Sequence, residues 1–233
     1  MDQAEKLRNI VKKNQQLTTS KARVFTVTSG KGGVGKSNTV VNLAIQMQKR
    51  GKKVVIFDAD IGLANVEIMF GAIPKYNLSD LIYRGKSLKE IITPGPLGIG
   101  FISGGSGITG VNNLTKDQLK LLINNLSELD TLADIVIIDT GAGVTDQVMD
   151  FVMASPEILL VATYEPSSLT DAYSLLKALH WNPDFRRAQT KIKVIANRVM
   201  SEEEGRGIYE KLNAVVGKFL DGNLEYLGMV PQD

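Results

Sequence analysis

One glycine-rich segment has the residue types and spacing needed to bind a triphosphate. Residues 30–37 read GKGGVGKS and match the pattern G-x-x-x-x-G-K-[ST], between a predicted strand and a predicted helix. Glycines allow successive backbone N–H groups to turn toward an anion, and the N-terminus of the following helix adds its dipole. We expect Lys36 to reach the β- and γ-phosphates and the Ser37 hydroxyl to bind Mg²⁺.

The same glycines leave a second interpretation open. Gly30, Gly32 and Gly35 also match the dinucleotide pattern G-x-G-x-x-G, and acidic residues follow the second predicted strand, where a ribose-binding acid would lie. That pattern requires no Lys-Ser pair at its end and no further acid after a distant strand. Lys36, Ser37 and Asp139 therefore favour triphosphate binding over dinucleotide binding.

Three acidic residues stand where a magnesium-dependent reaction would need them. Asp58 and Asp60 come at the end of an apolar strand, and Asp139 follows the apolar run of residues 135–138. Mg²⁺ prefers carboxylate and water oxygens, so we expect Asp139 to hold the ion through water. Asp60 lies further into its loop and is the better candidate to accept the attacking water. Helix capping or turn formation is the competing explanation for each acid.

Lys31 has no role in the general phosphate-binding pattern. We expect its side chain to point outward in its own subunit, where it could reach the phosphates of a facing copy, as an arginine finger acts in trans. Glu165 and Pro166 follow another apolar strand and are expected to line the nucleotide or the dimer surface.

The elements that must position these residues alternate along the chain. This alternation predicts an α/β fold with a mostly parallel sheet and helices on both faces, and ligands bind such sheets at the carboxyl ends of the strands. Strands are predicted at residues 24–28, 53–58, 99–102, 135–138, 158–161, 192–196 and 225–230. Helices are predicted at residues 36–49, 115–129, 144–153, 168–180 and 202–219, with short helices within 62–92 and an apolar helical stripe in residues 3–14.

Composition narrows the possible chemistry. The 233 residues include no cysteine and one histidine, His180, which excludes disulfides, thiolate metal sites and multi-histidine metal sites. No apolar run approaches the roughly 18 residues of a spanning helix, and no signal peptide is recognised, so a cytoplasmic location is expected. The net charge is +2. Residues 1–23 contain six basic and two acidic side chains, a local net charge of +4, which leaves the body at about −2 and argues against a DNA-binding surface.

These motifs together resemble the deviant Walker A ATPases of the MinD/ParA family. The loop K-G-G-x-G-K-[ST] corresponds to residues 31–37, residues 58–65 resemble the second motif of the MinD branch, and residues 139–143 resemble the switch D-x-x-A-G. The resemblance extends over residues 23–233. It implies a single P-loop NTPase domain and an ATP-dependent dimerising switch, with ATP between two subunits and Lys31 acting in trans.

The resemblance assigns roles to individual residues. Asn197-Arg198 and residues 230–233 match stretches that hold adenine, and Asn38 replaces the family's usual hydroxyl residue after Ser37. The implied catalytic residues are Lys31, Lys36 and Asp60. The implied metal ligands are Ser37, Asp58 and Asp139. The implied nucleotide-binding residues are Gly32, Gly33, Val34, Gly35, Lys36, Ser37, Asn38, Asn197, Arg198, Pro231 and Asp233.

The N-terminal residues narrow the resemblance to one branch of the family. Residues 2–8 resemble the D-Q-A-x-x-L-R segment of the FlhG branch, also called YlxH or FleN, which regulates flagellar number and placement. In that branch the segment stimulates FlhF, a GTPase of the signal-recognition-particle type. The resemblance therefore implies partner contacts by Gln3, Leu7 and Arg8, whereas a solvated basic tail is the alternative. We predict a mobile segment over residues 1–20 and an ATPase domain over 21–233.

Further partners follow from the resemblance alone. Flagellar C-ring proteins are possible partners, and the full-length protein would bind the membrane reversibly through a C-terminal helix that these 233 residues do not include. No nucleic acid is expected. The alternative functions are another MinD/ParA-type positioning ATPase, a DNA-partitioning ATPase, or an interaction module that binds nucleotide with hardly any turnover.

Overall fold

The computed structural model describes residues 22–105, 125–185 and 187–232, together with positions 115, 118 and 122. The predictions for residues 1–20, including the helical stripe and the contacts of Gln3, Leu7 and Arg8, lie outside the described residues, as does Asp233. In chain order the elements are β1 (Arg23–Ser29), α1 (Lys36–Lys49), β2 (Val54–Ala59), α2 (Asn65–Phe70), α3 (Leu78–Tyr83), α4 (Leu88–Ile91), β3 (Thr93–Pro94), β4 (Gly100–Ile102), β5 (Ile135–Ala142), α5 (Asp146–Ala154), β6 (Glu157–Ala162), α6 (Pro166–Trp181), β7 (Lys191–Val199), α7 (Glu202–Phe219) and β8 (Glu225–Pro231). Short 3₁₀ turns lie at Pro96–Gly98, Leu126–Thr131 and Arg187–Gln189.

The described strands form an eight-stranded sheet in the order β3-β4-β2-β5-β1-β6-β7-β8. Strand β2 runs parallel to β4, as β6 does to β1 and to β7, whereas the two-residue strand β3 runs antiparallel to β4. The predicted α/β architecture with a mostly parallel sheet is therefore confirmed. Strand β3 was not predicted, because two residues are too few for a periodic pattern to emerge.

Contacts divide the described residues into two compact units, and the first contains those within residues 22–24 and 37–139. All six residues of β2 are buried, and Ile56 and Phe57 lie opposite Phe101 and Ile102 of β4. Two of its short helices begin with reciprocal capping boxes, Asn77 with Asp80 and Ser87 with Glu90, which satisfy backbone N–H groups that a helix start leaves open. Local sequence signals therefore set the starts of α3 and α4.

The second unit contains residues 25–36 and 140–233. Its core joins the alternate residues Ile158 and Leu160 of β6, and Ile192 and Val194 of β7, to the apolar faces of α5, α6 and α7. The intervening residues Leu159 and Val161 are also buried, so both faces of β6 are covered, as expected for a parallel sheet.

Two sequence predictions differ from the structure in detail. The predicted helix 115–129 does not extend to its end, because Leu126–Thr131 forms a 3₁₀ helix, while positions 118, 122 and 125 are helical. Asp139 was predicted to end its strand, but β5 continues through Ala142. Beyond that strand the Gly143 N–H still donates to the Ser29 carbonyl at 2.9 Å.

Within the described ranges, no helix is both long and apolar enough to cross a membrane.

Candidate active site

The glycine loop after β1 contains two residues in the left-handed backbone conformation. Gly33 and Gly35 adopt φ angles of +79° and +88°, which L side chains rarely tolerate. A Cβ at Gly35 would lie 2.3 Å from Asn197 Nδ2, whereas one at Gly32 or Gly33 would meet nothing within 4 Å. The loop is thus packed against Asn197 at Gly35 and open at Gly32 and Gly33.

The basic and hydroxyl residues at the end of the loop begin α1. Lys36 is the first residue of α1 and is buried, a rare state for lysine that requires a compensating anion or hydrogen bonds. The first turn of α1 contains no acidic residue, so its positive dipole end is available to phosphate. Ser37 follows at the next position, and Asn38 is exposed on the same helix.

Asn197 has a contact that sequence reasoning missed. Its Nδ2 donates a hydrogen bond to the Val34 carbonyl at 2.7 Å, and the side chain is buried. The residue therefore braces the glycine loop, a role beyond the adenine contact implied by the resemblance. Arg198 is exposed and has φ of +57°, at a register shift between β7 and β8. Pro231 is exposed at the end of β8.

Lys31 is held on the surface of its own subunit. Its Nζ lies 2.7 Å from Glu165 Oε2 and 2.8 Å from Ser167 Oγ, at the beginning of α6. The hydrogen bond and the positive charge of Lys31 lower the pKa of Glu165. The two side chains are 36% and 58% exposed, and exposed pairs of this kind contribute little to stability because water and salt screen them. Lys31 can therefore exchange this partner for another anion at little cost.

Two predicted acids of the first unit are fully buried. Asp58 lies within β2 and Asp139 within β5, one or more residues before each strand ends. Burial, assisted by the negative charges of Asp139 and Asp60, raises the pKa of Asp58 to about 7, although hydrogen bonds from the Val66 and Asp60 N–H groups oppose the shift. A bound cation would stabilise the ionised form of these two buried, interacting carboxyl groups.

The segment from Asp58 to Val66 is fixed by hydrogen bonds to both acids. Asp58 Oδ2 accepts the Val66 N–H at 3.1 Å, and its Oδ1 accepts the Asp60 N–H at 3.2 Å. Asp60 Oδ2 accepts a hydrogen bond from Asn65 Nδ2 at 2.9 Å. Asp58 thus caps the start of α2, whose own N-cap residue, Ala64, forms no side-chain hydrogen bond. Helix capping was the competing explanation for this acid.

A neighbouring loop closes over this segment. The Gly62 N–H donates to the Gly105 carbonyl at 3.1 Å. A Cβ added at Gly104 would come within 2.9 Å of the Asp58 carbonyl oxygen, so this approach requires glycine. Because Gly104 does not stand in a recognised motif, the sequence carried no signal for this contact.

The chemistry of the donors fits Mg²⁺. The described residues contain no cluster of three or more His, Cys, Asp or Glu side chains arranged to hold a metal by themselves. Mg²⁺ in nucleotide enzymes is bound by one or two carboxylates together with phosphate oxygens and water. Asp58, Asp139 and the Ser37 hydroxyl supply ligands of this kind, and the mutual repulsion of the two buried acids favours a cation.

The raised pKa of Asp58 predicts a pH effect on stability. A carboxyl group whose pKa rises from 3.8 to about 7 on folding destabilises the fold as pH increases through that interval, because only the unfolded state ionises freely. In nucleotide-free protein this contribution should lower the free energy of unfolding by at most about 3 kcal/mol between pH 5 and pH 8, at about 1.4 kcal/mol per pH unit up to the folded pKa. Urea unfolding between pH 5 and pH 8 measures it.

Asp58→Asn provides the comparison for that experiment, because asparagine does not titrate. Its profile should lose the downward slope between pH 5 and pH 8 that the wild type has. His180 contributes the opposite slope in both proteins, since burial and the Arg187 charge lower its pKa and favour folding as pH rises. Parallel profiles for the two proteins would contradict the raised pKa of Asp58.

Comparison with known proteins agrees with the resemblance to the MinD/ParA family found in the sequence. Residues 25–233 match the family model of the CobQ/CobB/MinD/ParA nucleotide binding domain. The chain is 41% identical over 211 residues to the antiactivator FleN of Pseudomonas aeruginosa, covering 91% of this chain and 74% of FleN. It is 37% identical over 210 residues to the flagellum site-determining protein YlxH of Helicobacter pylori, covering 89% and 69% of the two chains.

A solved structure supports the fold. The septum site-determining protein MinD of Pyrococcus horikoshii, complexed with Mg-ADP, matches with a TM-score of 0.73 at 24% identity, covering 91% of this chain and 82% of MinD. The predicted P-loop NTPase fold is thereby confirmed. The chain belongs to the MinD/ParA family of nucleotide-binding proteins.

Proposed function

We propose that this protein is a Mg²⁺-dependent ATPase that works as an ATP-dependent dimerising switch. The observation that carries this proposal is the glycine loop with two lysines in different environments. Lys36 is buried at the start of α1, where it suits a phosphate bound by its own subunit. Lys31 is on the surface in an exchangeable ion pair, where it suits the phosphates of a facing copy.

In this mechanism the side chains divide the work of phosphoryl transfer. The N–H groups of the glycine loop and Lys36 bind the phosphates, while Asp60 accepts a hydrogen bond from the attacking water and orients it. The bond from water oxygen to the γ-phosphorus forms as the bond to the ADP oxygen breaks, ADP leaves with the electron pair of that bond, and a proton of the water passes to an oxygen of the released phosphate. Ser37, Asp58 and Asp139 would hold Mg²⁺, which neutralises phosphate charge when bound.

Size-exclusion chromatography with ADP and with ATP tests this proposal together with a phosphate-release assay. We expect Mg²⁺-dependent phosphate release and a shift from monomer toward dimer with ATP only. Binding of ATP without turnover would instead assign the chain to the class of nucleotide-binding interaction modules.

We also propose that the protein regulates flagellar number and placement. This proposal is supported by the identity to FleN, whose name describes an antiactivator, and to YlxH, whose name describes a flagellum site-determining protein. The proposed partners are a second copy of the chain, a FlhF-type GTPase and flagellar C-ring proteins. The proposed location is the cytoplasm, with reversible membrane association of the full-length form through a C-terminal helix.

Deletion of residues 1–20 is expected to separate the GTPase-stimulating activity from the ATPase. The match to the nucleotide binding domain begins at residue 25, so ATP binding, dimerisation and basal ATP hydrolysis should change less than about twofold. Stimulation of a FlhF-type GTPase should be lost, because Gln3 and Arg8 are the polar groups proposed to reach its nucleotide or catalytic water.

A synthetic peptide of residues 1–20 should restore part of this stimulation. A peptide with Gln3 and Arg8 replaced by alanine is the matched control and should restore none. Full stimulation by the truncated protein would show that the segment is a solvated tail.

A further inference from the structure

Asn65 makes the contact from which a further role can be inferred. It is the first residue of α2, and its Nδ2 donates a hydrogen bond of 2.9 Å to Asp60 Oδ2. The residue before it, Ala64, occupies the N-cap position in a left-handed conformation and forms no side-chain cap. Asn65 therefore directs its amide toward the Asp60 carboxylate rather than toward the open N–H groups of its own helix.

The residue type at this position is informative. The first turn of a helix favours a carboxylate, because its N-terminus carries partial positive charge. An aspartate at position 65 would place a second negative charge against Asp60 and remove the donor. An amide of the same shape supplies a donor without charge. The hydrogen bond to Asp60 therefore explains the asparagine at this position better than the preference of a helix start does.

The helix that carries Asn65 is itself anchored. The adjacent N–H of Val66 donates to Asp58 Oδ2 at 3.1 Å, and Asp58 and Val66 are both buried. The Leu63 N–H also donates to the Asp60 carbonyl at 3.2 Å. Backbone hydrogen bonds thus fix the chain on both sides of Asn65. The hydrogen bond from the Asn65 amide in turn fixes the position of the Asp60 carboxylate.

We propose that Asn65 is a positioning residue that aims the Asp60 carboxylate at the attacking water. This inference rests on the proposed function, in which Asp60 orients that water. Asn65 does not itself contact nucleotide in this mechanism. Its loss should therefore slow the chemical step and leave substrate binding unchanged, since misplacement of a catalytic group by about 1 Å can cost about 100-fold in rate.

The test uses the full chain with Asn65→Ala and Asn65→Asp, and measures kcat, KM, ADP affinity and ATP-driven dimerisation. We expect kcat to fall about 10- to 100-fold for Asn65→Ala and at least as far for Asn65→Asp. KM, ADP affinity and dimerisation should change less than twofold. Asn42→Ala is the matched control, because it removes an exposed asparagine hydrogen bond, to the Asn38 carbonyl, and should leave kcat unchanged.

A double-mutant cycle identifies the route of the effect. In the Asp60→Ala background, Asn65→Ala should cause no further loss of kcat. A further loss, a kcat within twofold of the wild type for Asn65→Ala alone, or a parallel loss of ADP affinity would overturn the inference. Full turnover by Asp60→Ala would overturn the proposed role of Asp60 as well, whereas a loss confined to Asp60→Ala would overturn the positioning role of Asn65 alone.

Discussion

Asp60→Ala is expected to bind ATP normally, hydrolyse it at least about 100-fold more slowly and accumulate as an ATP-bound dimer. The Asp60 carboxylate is held by Asn65 and lies outside the glycine loop, so its loss removes the water-orienting group and leaves the phosphate-binding groups in place. Single-turnover phosphate release, with chromatography in the presence of ATP, measures both effects.

Asp184→Ala is the control for this prediction, because Asp184 is an exposed aspartate between α6 and β7 and has no proposed role. It should hydrolyse ATP like the wild type and should not accumulate as a dimer. Undiminished turnover by Asp60→Ala would remove this residue from the mechanism and leave the water without an assigned partner.

Lys36→Ala is expected to lose nucleotide binding, whereas Lys31→Ala is expected to lose ATP-driven dimerisation and hydrolysis. Lys36 is buried at the start of α1, and its loss should weaken ADP and ATP binding roughly 100-fold, as expected when a buried charge pair loses one partner. Lys31 is bound to Glu165 and Ser167 in its own subunit, so its loss should leave ADP affinity nearly unchanged. ATP-driven dimerisation and hydrolysis should nevertheless fall by at least about 100-fold, because the trans cation is missing.

Calorimetric titration with ADP, followed by chromatography with ATP, separates the two failures. Lys49→Ala changes an exposed lysine at the end of α1 and should behave like the wild type in both measurements. Equal loss of ADP binding in Lys31→Ala and Lys36→Ala would contradict the trans assignment and place both ammonium groups at one nucleotide.

The sequence by itself determined the elements and predicted the type of site, because both predictions depend on local patterns. The helix predicted over residues 202–219 is found as Glu202–Phe219, since its start is marked by a capping serine and an acidic first turn. The apolar runs of β2 and β6 predicted buried parallel strands in the same way. The glycines of the phosphate loop were predicted from spacing alone, and Gly33 and Gly35 have the left-handed backbone that explains them.

Only the tertiary structure decided which side chains hold these groups in place. Asn197 braces Val34 from 163 residues away, and Glu165 binds Lys31 from 134 residues away. No local pattern encodes such pairs, because they depend on the register of strands and on which helix starts lie beside the loop. The pKa of Asp58 depends likewise on burial and on Asp139, and the Asn65 contact depends on the left-handed turn at Ala64. Local sequence patterns predict the elements and the residue types of the site, whereas long-range packing sets the electrostatic environment and the orientation of each side chain.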